Sequence, residues 1–424
     1  MRIALVVHKF PPASLGGTEI YTRNLAEALS REHDVAVFYR DDGDGRAFHE
    51  EWQDREGFRA WRVSRAFDFG QAGPVASFFD TFFNLDVERS FRRFLDAFQP
   101  DVIHFQHLMS LSFRLIAQAK RQGPPCLLTL HDYWFICSNA QLIWPDGQIC
   151  AGKALRLNCV RCATTRIGKP WVDAARPLIA PAFQLRDALV RRAALRTDQL
   201  LAPSRFLIQR YAREGFPPDR FTFLENGLDV DRIRRSMTPG ERQTGDKLRV
   251  TYLGSLAWQK GVHVLVEAFR DLPPERAILR VFGGAQVFPE YAASLQARHN
   301  PANTVFEGSV PNHQVGRVLA ETDVLALPSL WYENSPVVIQ EARAAGVPVM
   351  ASDHGALAEK VHDGVDGFLV APGDASAWHG ALRQLLRRPD RLSAMQANVP
   401  QPITMEGHAD ILVARYRAAL DHDG

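Results

Sequence analysis

The chain has 424 residues, a length that favours two or three domains of ordinary size. Its 23% charged and 46% hydrophobic residues exclude a disordered or fibrous chain, and a formal net charge of +2 gives no bulk attraction to nucleic acid. The first apolar run, Ile3 to Val7, is far too short for a membrane span or a signal-peptide core, so the expected compartment is the cytoplasm, where the five cysteines stay as thiols or metal ligands.

In chain order, short runs rich in Val, Ile, Leu and Phe fall at residues 2–7, 34–39, 101–105, 126–130 and 199–203. A second series falls at 248–253, 278–282, 304–307, 324–328, 348–352 and 367–370. Near-continuous apolar runs suit parallel strands buried on both faces. Their alternation with helical stretches predicts βαβ units in an α/β fold. Residues 229–247 are polar, hold Pro239, Gly240 and Gly245, and read as a surface loop. The domain boundary is expected near residue 197, giving domains 1–197 and 198–424. Residues 405–420 have an amphipathic helical pattern and are expected to pack back on the first domain.

Ligands of open α/β sheets bind beyond the carboxyl ends of the strands. After the first run come His8-Lys9, then Gly16-Gly17-Thr18, where the glycine pair lets the backbone approach a ligand and Thr18 can cap the next helix. In the second series, Gly254-Ser255 ends a strand and Lys260-Gly261 opens a helix, so that the ammonium can reach phosphate oxygens. Gly283 offers a second backbone approach. The segment Trp331-Tyr332-Glu333-Asn334-Ser335-Pro336 predicts a helix start, with Ser335 as N-cap and Pro336 at the first helical position. Glu333 then sits just outside that helix. Glu341 lies inside it, roughly 8–9 Å along the axis. One carboxylate can meet a sugar while the other meets a ribose.

Two glutamates eight residues apart, followed by Ala344-Ala345-Gly346-Val347-Pro348, resemble the E-x7-E signature of the retaining glycosyltransferases of family 4, with the GT-B fold. Gly16-Gly17, Leu130-His131-Asp132, Pro203-Ser204, Glu225-Asn226-Gly227, Lys260-Gly261 and Asp363-Gly364 resemble the family's other motifs, in order along nearly the whole chain. The resemblance implies two Rossmann-like doubly wound domains facing a central cleft. It implies a UDP- or GDP-sugar donor and a glycan, lipid-linked or small-molecule acceptor. It puts Glu341 on the ribose, Glu333 and His131 on the donor sugar, Lys260 on the diphosphate, and Gly16 and Gly17 at the leaving phosphate. Ser204, Arg205, Asn226, Gly254, Gly283, Asn334, Ser335 and Pro336 complete the expected donor site. The family's usual phosphate arginine is replaced by Ser255, and Arg205 is the candidate substitute. No Asp-x-Asp motif stands where a divalent metal would be held, so catalysis is expected to need no metal. A binding-only GT-B chain that scaffolds a glycan-assembly complex is the alternative reading. The nucleotide-sugar epimerases, which share the architecture, lack this glutamate pair.

Two further features stand outside those motifs. Cys137, Cys150, Cys159 and Cys162 fall in an irregular insertion over about 136–166 and end in a Cys-x-x-Cys knuckle, a spacing that suits one structural Zn²⁺. Residues 151–200 carry ten Lys and Arg against three Asp, interleaved with Trp171, Leu178, Ile179 and Phe183. That pattern suits either a solvated helix face or peripheral attachment to an anionic membrane surface.

Overall fold

The computed structural model describes residues 1–41, 48–64, 73–237 and 247–422. The chain divides into two compact units. The first comprises Met1–Pro145, Cys150–Gly227 and the chain from Met405 on; the second comprises Asp146–Ile149 and Leu228–Thr404.

The first unit is built on β1 (Arg2–Val7), β2 (Asp34–Asp41), β3 (His49–Asp54), β4 (Arg59–Ser64), β5 (Val102–Phe105), β6 (Cys126–Thr129), β7 (Gln199–Ala202) and β8 (Phe221–Phe223). They form one sheet in the order β3-β4-β2-β1-β5-β6-β7-β8. Every pairing is parallel except β3 with β4. Central β1 is buried from Ile3 to Val7, which is why its apolar run does not alternate. Each such side chain contributes about 1.5–3 kcal/mol by leaving water.

The second unit carries β9 (Leu248–Leu253), β10 (Ala277–Phe282), β11 (Thr304–Gly308), β12 (Val324–Leu327), β13 (Val349–Ser352) and β14 (Gly367–Val370). Their order is β11-β10-β9-β12-β13-β14, all parallel. Within β12, Val324 and Ala326 join one apolar cluster while Leu325 and Leu327 join another. The two-residue period of a strand thus feeds a core on each side of this sheet.

Three expectations are corrected, and one hairpin is added to them. The boundary lies between Gly227 and Leu228, because β7 and β8 continue the first sheet instead of starting the second. The polar stretch after Asp229 is helical over Val230–Ser236, since the Asp229 carboxylate accepts from Arg232 N at 2.9 Å and caps it; residues 238–246 of that stretch lie outside the described residues. The helix at Gly17–Leu29 is capped by Gly16, with no side-chain cap bond, so Thr18 lies inside it. The β3–β4 hairpin escaped notice because β3, His-Glu-Glu-Trp-Gln-Asp, is a polar edge strand without an apolar face.

The last helix, Met405–His422, belongs to the first unit. Two buried hydrogen bonds hold it there: His408 Nε2 with Tyr21 Oη and Tyr416 Oη with His104 Nδ1, both 2.6 Å.

Candidate functional site

In the second unit, β9 runs out through Gly254 and Ser255 into the turn Trp258–Lys260. Gly261 follows with φ +70°, and a Cβ there would stand 1.9 Å from the Pro328 carbonyl oxygen. Only glycine lets this turn press against the chain leaving β12. Likewise a Cβ on Gly283 would meet the Gly254 carbonyl oxygen at 2.2 Å, so Gly283 holds the ends of β9 and β10 together.

That close approach brings Lys260 to Glu333. Lys260 Nζ donates to Glu333 Oε1 at 2.7 Å, Trp331 Nε1 donates to the same oxygen at 2.8 Å, and Ser329 Oγ donates to it at 2.9 Å. Lys260 Nζ also lies 5.3 Å from the Trp331 ring centroid. Three donors on one oxygen fix this buried carboxylate and offset its removal from water.

Glu341 is buried on the helix Val337–Ala344. Its Oε1 accepts from Arg232 Nη2 at 2.7 Å, and Arg232 Nη1 also donates to Asn312 Oδ1 at 2.8 Å. The helix starts one residue later than expected: Pro336 is its N-cap, with an extended ψ of 121°, and makes the turn without a side-chain cap bond. Ser335 is therefore not the cap. Its Oγ is buried without a hydrogen-bond partner, as is Gln259 Oε1 beside Lys260. Each of these two atoms can take a further hydrogen bond. Asn334 is buried between Glu333 and Ser335.

The first unit has its own polar centre beyond the ends of β1, β5 and β6. His131 Nε2 pairs with Gln106 Oε1 at 2.9 Å, and its ring lies 4.9 Å from that of Tyr21. Burial, with the neighbouring His107, lowers the His131 pKa to about 3, so the ring is neutral at pH 7. His107 Nδ1 accepts from Met109 N at 3.2 Å, which puts its proton on Nε2, and that proton is donated to Asp132 Oδ2 at 2.8 Å. His8 packs against His107 with ring centroids 4.3 Å apart and the planes tilted by 50°, and stands 3.6 Å from Glu19 Oε1. Burial and His107 push its pKa well below the usual value. His8 Nδ1 and Gln106 Nε2 are buried without partners. Gly16 lies against Glu19: a Cβ on it would reach Glu19 Oε2 at 2.4 Å. Gly17 is the first residue of the helix behind it.

Other expected donor residues are used differently. Ser204 is a buried N-cap whose Oγ accepts from Leu207 N at 3.1 Å and so starts the helix Arg205–Arg213. Arg205 belongs to the first unit, its guanidinium 4.7 Å from the Phe223 ring centroid. Asn226 is buried in the same unit. The arginine set beside a site carboxylate within the second unit is Arg232. The Cys137, Cys150, Cys159 and Cys162 thiols are free and half-buried. Burial, with Cys137 adding, pushes Cys159 up to about 12. Their sulfurs are the right donors for Zn²⁺, yet among the described residues no three His, Cys, Asp or Glu side chains are grouped as a metal would require.

Sequence reasoning missed Arg232, Gln259, Ser329 and Trp331, and in the first unit His8, Gln106 and His107 as working groups. Gln259 and Trp331 adjoin motif residues and His8 ends β1, so position signalled them. Arg232 gave no signal, being 109 residues from its partner Glu341.

The sequence profile described as Glycosyltransferase Family 4 matches residues 15–232, and that described as Glycosyl transferases group 1 matches residues 235–401. The chain is 28% identical over 199 residues to a putative colanic acid biosynthesis glycosyltransferase, WcaL, of Salmonella typhimurium, covering 45% of this chain and 48% of that protein. It is 30% identical over 219 residues to a D-inositol 3-phosphate glycosyltransferase of Mycobacterium marinum, covering 48% and 46%. The matches thus span about half the length of these curated relatives. Among solved structures, sucrose-phosphate synthase from Thermosynechococcus elongatus superposes with a TM-score of 0.68 at 20% identity, over 99% of both chains. HepE of Anabaena, in complex with UDP and glucose, superposes with a TM-score of 0.66 at 16% identity, over 98% of this chain and 99% of that one. At these identities the likeness shows the fold, which is GT-B.

Proposed function

Because this chain belongs to glycosyltransferase family 4, we propose that it moves a sugar from a nucleoside-diphosphate donor, UDP- or GDP-linked, to a glycan, lipid-linked or small-molecule acceptor, retaining configuration and needing no divalent metal at the phosphates. The observation that carries this reading is the joining of Lys260, Glu333 and the Glu341–Arg232 pair in one unit, beside the partnerless Ser335 Oγ and Gln259 Oε1. The printed descriptions of the relatives, and of the fold neighbour bound to UDP and glucose, point the same way.

In transfer, the bond from the anomeric carbon to the phosphate oxygen breaks and its electron pair leaves with the diphosphate. An acceptor hydroxyl oxygen bonds the same carbon, and its proton passes to an oxygen of the departing diphosphate. Negative charge grows on the diphosphate, and Lys260 is the cation that meets it. Without ligand, Lys260 and Glu333 neutralise each other. A donor brings phosphate for the lysine and hydroxyls for the carboxylate, so each group exchanges one partner for another and neither is left buried and unpaired. Glu341 accepts from the ribose hydroxyls, with Arg232 holding its other bond. His131, neutral and held by Gln106, and His107, aimed by Asp132, are suited to hydrogen-bond sugar hydroxyls or the acceptor.

The test is release of nucleoside diphosphate from a panel of UDP- and GDP-sugars, with and without acceptor glycans and with EDTA present. Turnover that survives EDTA supports the reading. Tight donor binding with neither hydrolysis nor transfer would favour a binding-only scaffold.

A further inference from the structure

Helix Arg176–Ala194 is covered along one face, where Ala180, Phe183, Val190 and Ala193 are buried. Phe183 packs on Phe78 with ring centroids 4.6 Å apart. The fully buried Arg186 pins the helix by donating to the Trp134 carbonyl at 2.7 Å and to Asp187 at 2.8 Å. The opposite face is apolar as well. Leu178, Pro181, Leu185 and Ala188 recur every three or four residues, so they share one line along the helix, and all four are exposed. Leu178 is 86% exposed and Trp171, in the turn Pro170–Ala175 just before, 76%. A helix apolar on both sides is normally covered on both sides.

Charge says what covers this one. Lys153 and Arg156 turn inward to Asp187, at 3.3 and 3.1 Å, and Lys153 also reaches Glu214 at 2.7 Å. Much of the positive excess read from the sequence is therefore internal. Lys169 and Arg161 remain exposed, as does Arg192, which continues the apolar line one turn past Ala188. Between 151 and 197 the acidic residues are Asp173, bonded to Arg176 at 3.1 Å, and the buried Asp187. Among the described residues of this segment the fully exposed charges are cations, and Asp173, partly exposed, is neutralised by Arg176. Two copies meeting about a twofold axis would oppose cation to cation, which argues against self-association. No described helix is long and apolar enough to cross a membrane.

We propose that this face docks the chain onto an anionic lipid surface. Trp171, Leu178 and Leu185 enter the boundary between headgroups and acyl chains, while Lys169, Arg161 and Arg192 meet lipid phosphates. The proposal stands apart from the catalytic reading, since none of these residues serves the site. The experiment is flotation of the full chain with vesicles of phosphatidylcholine alone and of phosphatidylcholine mixed with phosphatidylglycerol, at low and high salt. The chain is expected to float with the mixed vesicles at low salt and to stay in solution with the neutral ones. Trp171→Ser with Leu178→Ser is expected to weaken flotation about tenfold or more at an unchanged melting temperature, because both side chains are exposed. Lys169→Glu with Arg192→Glu is expected to remove the salt dependence along with most of the binding. A wild-type chain that stays in solution, a Trp171/Leu178 variant that floats as well as wild type, or a dimer in sedimentation that this variant abolishes would each overturn the proposal.

Discussion

The polar centres of the two units solve burial in opposite ways. In the second unit, charge is set against charge: Lys260 on Glu333 and Arg232 on Glu341, each at 2.7 Å. In the first, His131 and His8 are kept uncharged by burial, with His8 set at a tilt against the His107 ring and His131 against Tyr21. The difference teaches what each centre can hold. Ion-paired groups can exchange one partner for another without either being left buried and unpaired. Neutral imidazoles can bond hydroxyls without adding a buried charge.

Removing the lysine should break this contrast most severely. Lys260→Ala is expected to lower kcat/KM by roughly 10²–10³, the scale for one preorganised electrostatic group. Its pairing with a buried Glu333 adds a second consequence, a stability loss of about 1–3 kcal/mol from a carboxylate stripped of one donor. Steady-state kinetics and thermal melting read the two effects separately. Turnover close to wild type would transfer the phosphate role to another cation, with Arg205 and Arg232 the first to examine.

A smaller effect sharpens the contrast within the second unit. Glu341→Ala should weaken donor binding by about 1.5–3 kcal/mol, the contribution of a hydrogen bond to a charged group, and should do so for any sugar carried on the same nucleotide. Calorimetric titration with the free nucleotide and with the nucleotide-sugar distinguishes this from a sugar contact: equal losses on both place Glu341 on the ribose, and an unchanged affinity for the free nucleotide removes it from there.

The smallest effect probes the first unit through pH. His131 and His104 have folded pKa values of about 3 and His408 of about 4, all below the unfolded value near 6.5. As pH falls through 6.5 the unfolded chain takes up protons first. The stability these rings contribute is complete above that pH and is lost as acid approaches their folded values. Each can remove up to about 1.4 kcal/mol per pH unit. Melting followed at pH 7.5 and 5.5 should show the loss, and His408→Gln, which keeps a hydrogen bond to Tyr21 without titrating, should reduce it. A melting temperature indifferent to pH over that window would mean that these rings are not buried neutral.

Much of the architecture was legible along the chain. Eleven apolar runs marked strands because a parallel strand buried on both faces needs no alternation, and such a run is a local property. The glutamate pair, Lys260-Gly261 and Gly16-Gly17 were legible because each is a short motif whose chemistry depends on its neighbours. Tertiary structure decided what depends on distant residues. It assigned β7 and β8 to the first sheet, β7 through its pairing with β6 and β8 through its pairing with β7, and set Ser204 as a helix cap. It turned Lys153 and Arg156 inward to Asp187 and left a bare apolar line on the helix they flank. It chose Arg232 as the partner of Glu341 and His107 as the partner of Asp132. Local periodicity fixes which face of an element is apolar, but a buried charge finds its counter-charge only when folding brings remote segments within hydrogen-bond reach. Which side chains stay unpaired and ready for a ligand is therefore set by the assembled unit.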